Sequence, residues 1–297
     1  NWEIDIFRSD DLKKMEAGAF LAVSQGNDNN SAAIIKLKYK PSNIEDSKLI
    51  SLIGKGIIFD TGGTNLKPFN SMLEMHIDMN GSAVALGSLL AITKQKLPIE
   101  VDCWLAITEN RTGPLAYKSQ DVVKAANGKT IQTIHTDAEG RMVLADTLYF
   151  ASLEKPDFMI DFATLTGTCV SALTNNYSGV FTNQPYMQTI LKEIGEDCGE
   201  RVWPFPIGSE FLVKLKSETA DLMQCAPAGG GDHILAATFL NEFVEEDIPW
   251  IHIDLSSATN AGGLAHGPTK ITGFGVRYLL NILKDNRILN NNKSKSL

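Results

Sequence analysis

The chain has 297 residues, 43% apolar and 21% charged, with a formal net charge of -8, a balance that supplies a sizeable core and excludes wholesale disorder. The negative charge disfavours nucleic acid or an anionic membrane as general partners, because both demand concentrated lysine and arginine. No apolar run approaches ~18 residues and no basic start precedes an apolar stretch, so neither a membrane span nor a secretion signal is predicted.

In chain order, the pattern predicts a helix over 9–16, strands over 20–24, 33–39 and 49–53, and a helix over 81–94. A strand over 100–106 follows, then helices over 120–126 and 141–153, strands over 158–161 and 179–182, and helices over 185–198 and 233–244. A strand over 250–254 and a helix over 272–284 complete the set. This alternation predicts an α/β fold with a mixed, mostly parallel central sheet covered by helices on both faces. We read residues 1–297 as one domain, with 286–297 a polar, frayed tail. The chain begins at Asn1 and enters strand-like sequence at once, so further sequence is expected upstream. The widely spaced Cys103, Cys169, Cys198 and Cys225 read as reduced thiols of a cytoplasmic protein. Two glycine-rich loops, "APAGGGDH" over 226–233 with Asp232 as a candidate N-cap and "NAGGLAHGP" over 260–268, either border a site or serve as surface connectors.

Three acidic patches adjoin apolar or glycine-rich sequence: Asp60 in "FDTGG", Asp78 in "MLEMHIDMNG", and Asp137 with Glu139 in "HTDAEGR". Singly, such carboxylates are ordinary caps or turn residues. Together, with no CxxC or HExxH pattern, they suit divalent cations bound mainly through oxygen. Asp137, Glu139 and Arg141 alternate, so in an extended segment they share one side. Gly62 and Gly63 permit a sharp turn after Asp60. Lys55 ends an apolar run, where desolvation and a neighbouring cation would favour a neutral, ligating amine. A charged Lys67 pointing at substrate could hold a developing oxyanion.

The blocks "GKGIIFDTGGTNLKP", "MLEMHIDMNGSA", "TEN", "NGKT", "HTDAEGRMVLADTL", "ATLTG" and "TGFGVR" resemble the leucyl (cytosol) aminopeptidases, dinuclear-metal exopeptidases whose catalytic domain follows an N-terminal one. The resemblance implies a tighter metal site of Lys55, Asp60, Asp78 and Glu139, and an exchangeable one of Asp60, Asp137 and Glu139. It implies two divalent ions per chain, zinc or manganese, with cobalt or magnesium as substitutes. Lys67 becomes the electrophilic lysine, and Arg141 the holder of a bicarbonate that serves as general base toward an activated water. Met75, Thr164 and Gly167 fall where the first side chain is received, Leu165 where backbone groups align the peptide, and residues 256–260 complete that pocket; Asp78 also faces substrate. His135, two residues before Asp137, either hydrogen-bonds behind the ligands, touches substrate or is a structural accommodation. Peptides with a free N-terminus, preferably leucine or another bulky apolar residue, are the implied substrates, and a homohexamer of stacked trimers in the cytoplasm is the implied assembly. A binding or scaffolding member of the fold, for example one that binds DNA, and a different dinuclear hydrolase are the alternatives. His135, His76, Arg111 and Gln120 depart from the family pattern without removing an implied ligand. His233, His252 and His266 lack ligand spacing, and His252 reads as a core-strand residue.

Overall fold

The computed structural model describes residues 2–28, 31–42, 47–245, 248–265 and 267–289. Its strands are β1 (Glu3–Arg8), β2 (Ala33–Tyr39), β3 (Lys48–Asp60), β4 (Ile99–Asn110), β5 (Val122–Lys124), β6 (Thr130–Gln132), β7 (Phe158–Ala163), β8 (Ser178–Thr182), β9 (Val202–Pro204), β10 (Leu222–Met223) and β11 (Trp250–Asp254). Eight of them form one sheet in the order β1-β2-β4-β3-β7-β11-β8-β9, and β10-β6-β5 form a small second sheet. The centre, β4-β3-β7-β11, is parallel, whereas β1, β2 and β8 join antiparallel. The mixed, mostly parallel sheet read from the sequence is therefore present.

Alternation along the central strands feeds two cores, one on each face. Ile53 and Ile57 of β3 join a cluster with Met142, Leu144 and Leu148 of helix Glu139–Leu153 and Phe239 of helix Asp232–Asn241. Ile50 and Leu52 point the other way, into a cluster with Leu89 and Ile92 of helix Asn80–Gln95 and Leu279 of helix Val276–Ile282. The carboxyl ends of β3, β4, β7 and β11 emerge together at one edge, the usual place for a ligand site in such sheets.

Two expected elements take the opposite form. Residues 20–24 belong to helix Gly18–Ser24, whose Ala19, Phe20, Ala22 and Val23 are buried. A short apolar run reads the same in either period, and packing against helix Glu139–Leu153 decides for the helix. Asp146 of that helix secures the contact by accepting the backbone N–H groups of Phe20 at 2.9 Å and Ala126 at 2.8 Å. Residues 120–126, expected as a helix, contain β5, which pairs antiparallel with β6 across the turn at Asn127-Gly128. The β-branched pairs flanking Asn-Gly carry a hairpin signal that the helical reading overlooked. The last helix is shorter than expected, spanning Val276–Ile282. Of the expected tail, residues 286–289 form a short helix and the rest lies outside the described residues. No described helix is long and apolar enough to cross a membrane, and all four cysteines are buried and free.

Helix Asn80–Gln95 begins against the sheet itself. A Cβ on Gly81 would lie 2.1 Å from the Phe162 carbonyl oxygen and 2.9 Å from the Lys55 nitrogen, both backbone atoms that cannot turn aside. Gly81→Ala is accordingly expected to lower the unfolding free energy by about 3 kcal/mol, the upper range for overpacking a tight contact, as measured by urea titration. An unchanged midpoint would mean that the helix start can shift freely.

Candidate active site

β3 carries both ends of the first constellation. Lys55 shares a face with Ile53 and Ile57, and strict alternation would turn Asp60, five residues on, to the opposite face. The pairing with β4 removes that conflict: Ile57 lies beside Thr108 and Asp60 beside Asn110, so three steps on β3 match two on β4. One extra residue returns Asp60 to the side of Lys55, in the manner of a bulge that re-aims a side chain. Asn110, placed alongside by this register, donates its side-chain amide to Asp60 Oδ1 at 2.8 Å.

The following loop folds back on itself. Gly62 and Gly63 take positive φ values of 87° and 65°, as a turn at this point requires, and Gly62 N–H donates to Asp60 Oδ1 at 2.8 Å. Thr136 donates its hydroxyl to the Gly62 carbonyl at 2.6 Å, and Lys67 N–H donates to the Thr61 carbonyl at 2.9 Å. These bonds bring Lys67 beside the aspartate that precedes it by seven positions in sequence. Its Nζ stands 2.8 Å from Asp60 Oδ2 and 2.5 Å from Asp137 Oδ1.

Asp78 arrives from the short 3-10 turn Met75–Ile77, and Glu139 opens helix Glu139–Leu153. Lys55 Nζ lies 2.8 Å from both Asp78 oxygens and 3.0 Å from Glu139 Oε1, and donates to the Thr164 carbonyl at 2.7 Å. Thr164 donates its hydroxyl to Asp78 Oδ1 at 2.6 Å. Oxygens of Asp60, Asp137 and Glu139 lie within 4.8 Å of one another. Four carboxylates thus face two ammonium groups in a largely buried cluster, and the uncompensated negative charge is costly without a cation.

Electrostatics follow from this crowding. Burial pushes the Asp78 carboxyl up, Lys55 opposes the rise, and the charges of Glu139 and Asp60 reinforce it, leaving it above the usual carboxylate range. Burial pulls the Lys55 ammonium down, but Asp78, Glu139 and Asp60 outweigh that pull and hold it above its ordinary value. Lys67 behaves alike, with burial opposed by Asp60, Glu139 and Asp137. The oxygen-rich donor set, with one buried amine beside it, fits hard to borderline divalent cations.

This cluster floors a cavity of about 520 Å³ whose walls include Met75, Thr164, Leu165, Gly167, Ser256 and Thr259. Residues 1–280 match the model of the cytosol aminopeptidase family, catalytic domain. The chain belongs to that family. Its relatives include three proteins each named probable cytosol aminopeptidase. That of Prochlorococcus marinus (strain MIT 9211) is 42% identical over 282 residues, covering 94% of this chain and 57% of the relative. That of Phytoplasma australiense is 38% identical over 291 residues, with coverages of 95% and 57%. That of Rickettsia massiliae (strain Mtu5) is 36% identical over 286 residues, again with 95% and 57%. The chain therefore spans somewhat more than half the length of these cytosol aminopeptidase relatives.

Within this family member, the structure brings together Lys55, Asp60, Lys67, Asp78, Asp137 and Glu139, and lines the cavity with Met75, Thr164, Leu165 and Gly167. Of the expected pocket segment 256–260, Ser256, Ala258 and Thr259 reach it. Arg141 and His135 do not line it. His135 is exposed, and its Nδ1 accepts the Asp137 backbone N–H at 3.3 Å, so it touches the loop holding a cluster carboxylate rather than the cavity wall. Arg141 is buried and points to the Gln224 carbonyl and to Asp232 at the start of helix Asp232–Asn241. His252 is fully buried in β11, its Nδ1 2.6 Å from Asp161 Oδ1, as the core-strand reading expects. His266 lies outside the described residues.

Two supporting residues escaped the sequence reading. Asn110 donates to Asp60, to the Thr136 carbonyl at 3.0 Å and to Glu139 Oε2 at 3.5 Å, and its signal was the "TEN" block ending a strand. Asp254 ends β11 and accepts from the backbone N–H groups of Leu165 at 3.2 Å and Thr166 at 3.3 Å and from the Thr166 hydroxyl at 2.7 Å. It fixes the loop over the cavity, and no local pattern distinguishes it from a strand-end aspartate.

Proposed function

We propose that the protein is a metal-dependent aminopeptidase that removes the N-terminal residue, preferably leucine or another bulky apolar one, from peptides. The convergence of four carboxylates and two lysines on the floor of a partly apolar cavity supports this reading most directly. In it, Lys55, Asp60, Asp78 and Glu139 hold one divalent ion, and Asp60, Asp137 and Glu139 a second, more exchangeable one. Zinc or manganese would fill these positions, with cobalt or magnesium as substitutes. Such ions supply Lewis acidity and bring a water's pKa toward neutrality.

The chain's own residues do the rest. Asp78, at the cavity floor, favours the substrate's free amine, which restricts cleavage to the first residue. Met75, Thr164 and Gly167 border the space for its side chain. Lys67 holds its charge beside the scissile carbonyl and stabilises the oxygen as negative charge develops there. Leu165 N–H is already engaged by Asp254, so Leu165 aligns the peptide through its carbonyl. Lys55 becomes a neutral ligand only when cations replace the ammonium charge that the four carboxylates otherwise require.

Proton transfer by a bicarbonate on Arg141 is part of the family resemblance, but Arg141 here already has a carboxylate partner, Asp232. A cytoplasmic homohexamer acting on peptides completes the proposal, supported by the relatives' name and by the family resemblance. Hydrolysis of leucyl amide substrates with added manganese, zinc or cobalt tests it. Turnover is expected to vanish on chelation and to return with the ion; no hydrolysis with any of the three would overturn the reading and favour a binding role.

A further inference from the structure

Arg141 is 2% exposed, yet its guanidinium is incompletely matched. Nη1 donates to the Gln224 carbonyl at 3.2 Å and Nη2 to Asp232 Oδ2 at 2.6 Å, while Nε is buried with no hydrogen-bond partner among the described residues. A guanidinium offers a planar fork that a carboxylate or similar oxyanion fills with two parallel bonds. Asp232 makes one such bond and leaves the adjoining Nε donor unmet.

Asp232 reaches this position from a run of glycines with open space around them. It opens helix Asp232–Asn241 directly after Gly229, Gly230 and Gly231, and nothing lies within 4 Å of where a Cβ on any of these three would sit. Burial would raise the Asp232 carboxyl, but the charge and hydrogen bond of Arg141, with His233 and His135 nearby, hold it below the usual carboxylate range. It therefore remains an anion across neutral pH. A tethered anion acts at an effective concentration that free bicarbonate must overcome, and both seek the same donors.

We propose that Asp232 is a built-in carboxylate occupying the oxyanion seat of Arg141, so that this protein excludes bicarbonate from a position where an exogenous anion would otherwise bind. The consequence for turnover rests on the aminopeptidase reading above; the binding statement does not. Asp232 acts through Arg141 and is a positioning residue.

The test compares the metal-loaded wild-type chain with Asp232→Asn and Asp232→Ser, titrating potassium bicarbonate in carbon-dioxide-depleted buffer. Binding is followed by calorimetry and by carbon-13 NMR of labelled bicarbonate, with leucyl amide turnover recorded in parallel. The wild type is expected to show no saturable binding and a flat turnover profile. Both variants are expected to bind the anion at least about tenfold more tightly, the effect of releasing one charge-assisted hydrogen bond, and to acquire bicarbonate-dependent turnover. Adding Arg141→Met to either variant should abolish the new binding. Equal affinity in wild type and variants, or no binding in any of them, overturns the proposal. The two substitutions differ in bulk, so a folding failure of one leaves the other decisive. A wild type inactive with every ion would overturn the aminopeptidase reading, while the calorimetric comparison would still decide the role of Asp232.

Discussion

Asp60→Ala is expected to carry neither of the two ions and to lose turnover by well over ~10²-fold, as removal of the charges that organise a metal-assisted site implies. Asp60 offers one oxygen to Asn110 and Gly62 and the other to Lys67, so a single substitution removes the shared side of both proposed ion positions. The fold should survive it. Lys67 keeps Asp137 at 2.5 Å and the Asn110 amide keeps the Thr136 carbonyl at 3.0 Å, so no buried charge is orphaned and the loss is confined to the acceptor of the Gly62 N–H. Elemental analysis after dialysis, with circular dichroism as the control for folding, is the direct check. Two ions per chain in the folded variant would show that Asp60 is not shared by the two proposed ion positions.

Lys67→Ala separates binding from chemistry. The Lys67 ammonium lies against Asp60 and Asp137, where it competes with a cation for the same oxygens. Its removal is expected to leave metal content intact and affinity at the Asp137 side equal or higher. Turnover should nevertheless fall by roughly 10²-fold or more, the cost of losing one preorganised group aimed at a developing oxyanion. The fall should appear in kcat rather than in KM, since the charge is needed most when negative charge reaches the carbonyl oxygen. Normal kcat with both ions bound would reduce Lys67 to a counter-charge for the cluster.

The ingredients of this site were legible because they sit in compact blocks. Lys55, Asp60 and Lys67 occur within one loop-and-strand unit, and Asp137 with Glu139 two positions apart, so short-range spacing and family resemblance carried them. Lys55 was expected where a strand ended near residue 53, whereas β3 continues to Asp60; a lysine and glycines inside the segment hid that continuation. Residues 20–24 were misread because a fully apolar run has no period, and β5 with β6 because lysines and alanines masked an Asn-Gly hairpin. The Arg141–Asp232 pair joins positions 91 residues apart, and no local pattern announces a contact of that kind. Asn110 and Asp254 act by accepting or donating at strand ends, which only the register of neighbouring strands makes visible.

The extra residue between Ile57 and Asp60 makes the length of one strand a chemical variable. Paired regularly at its full length beyond Ile57, β3 would set Phe59 rather than Asp60 beside Asn110. Asp60 would then turn to the opposite face, away from Lys55. A sheet made regular in that way would have lost the carboxylate shared by both proposed ion positions, so at this edge regular pairing and chemistry pull in opposite directions.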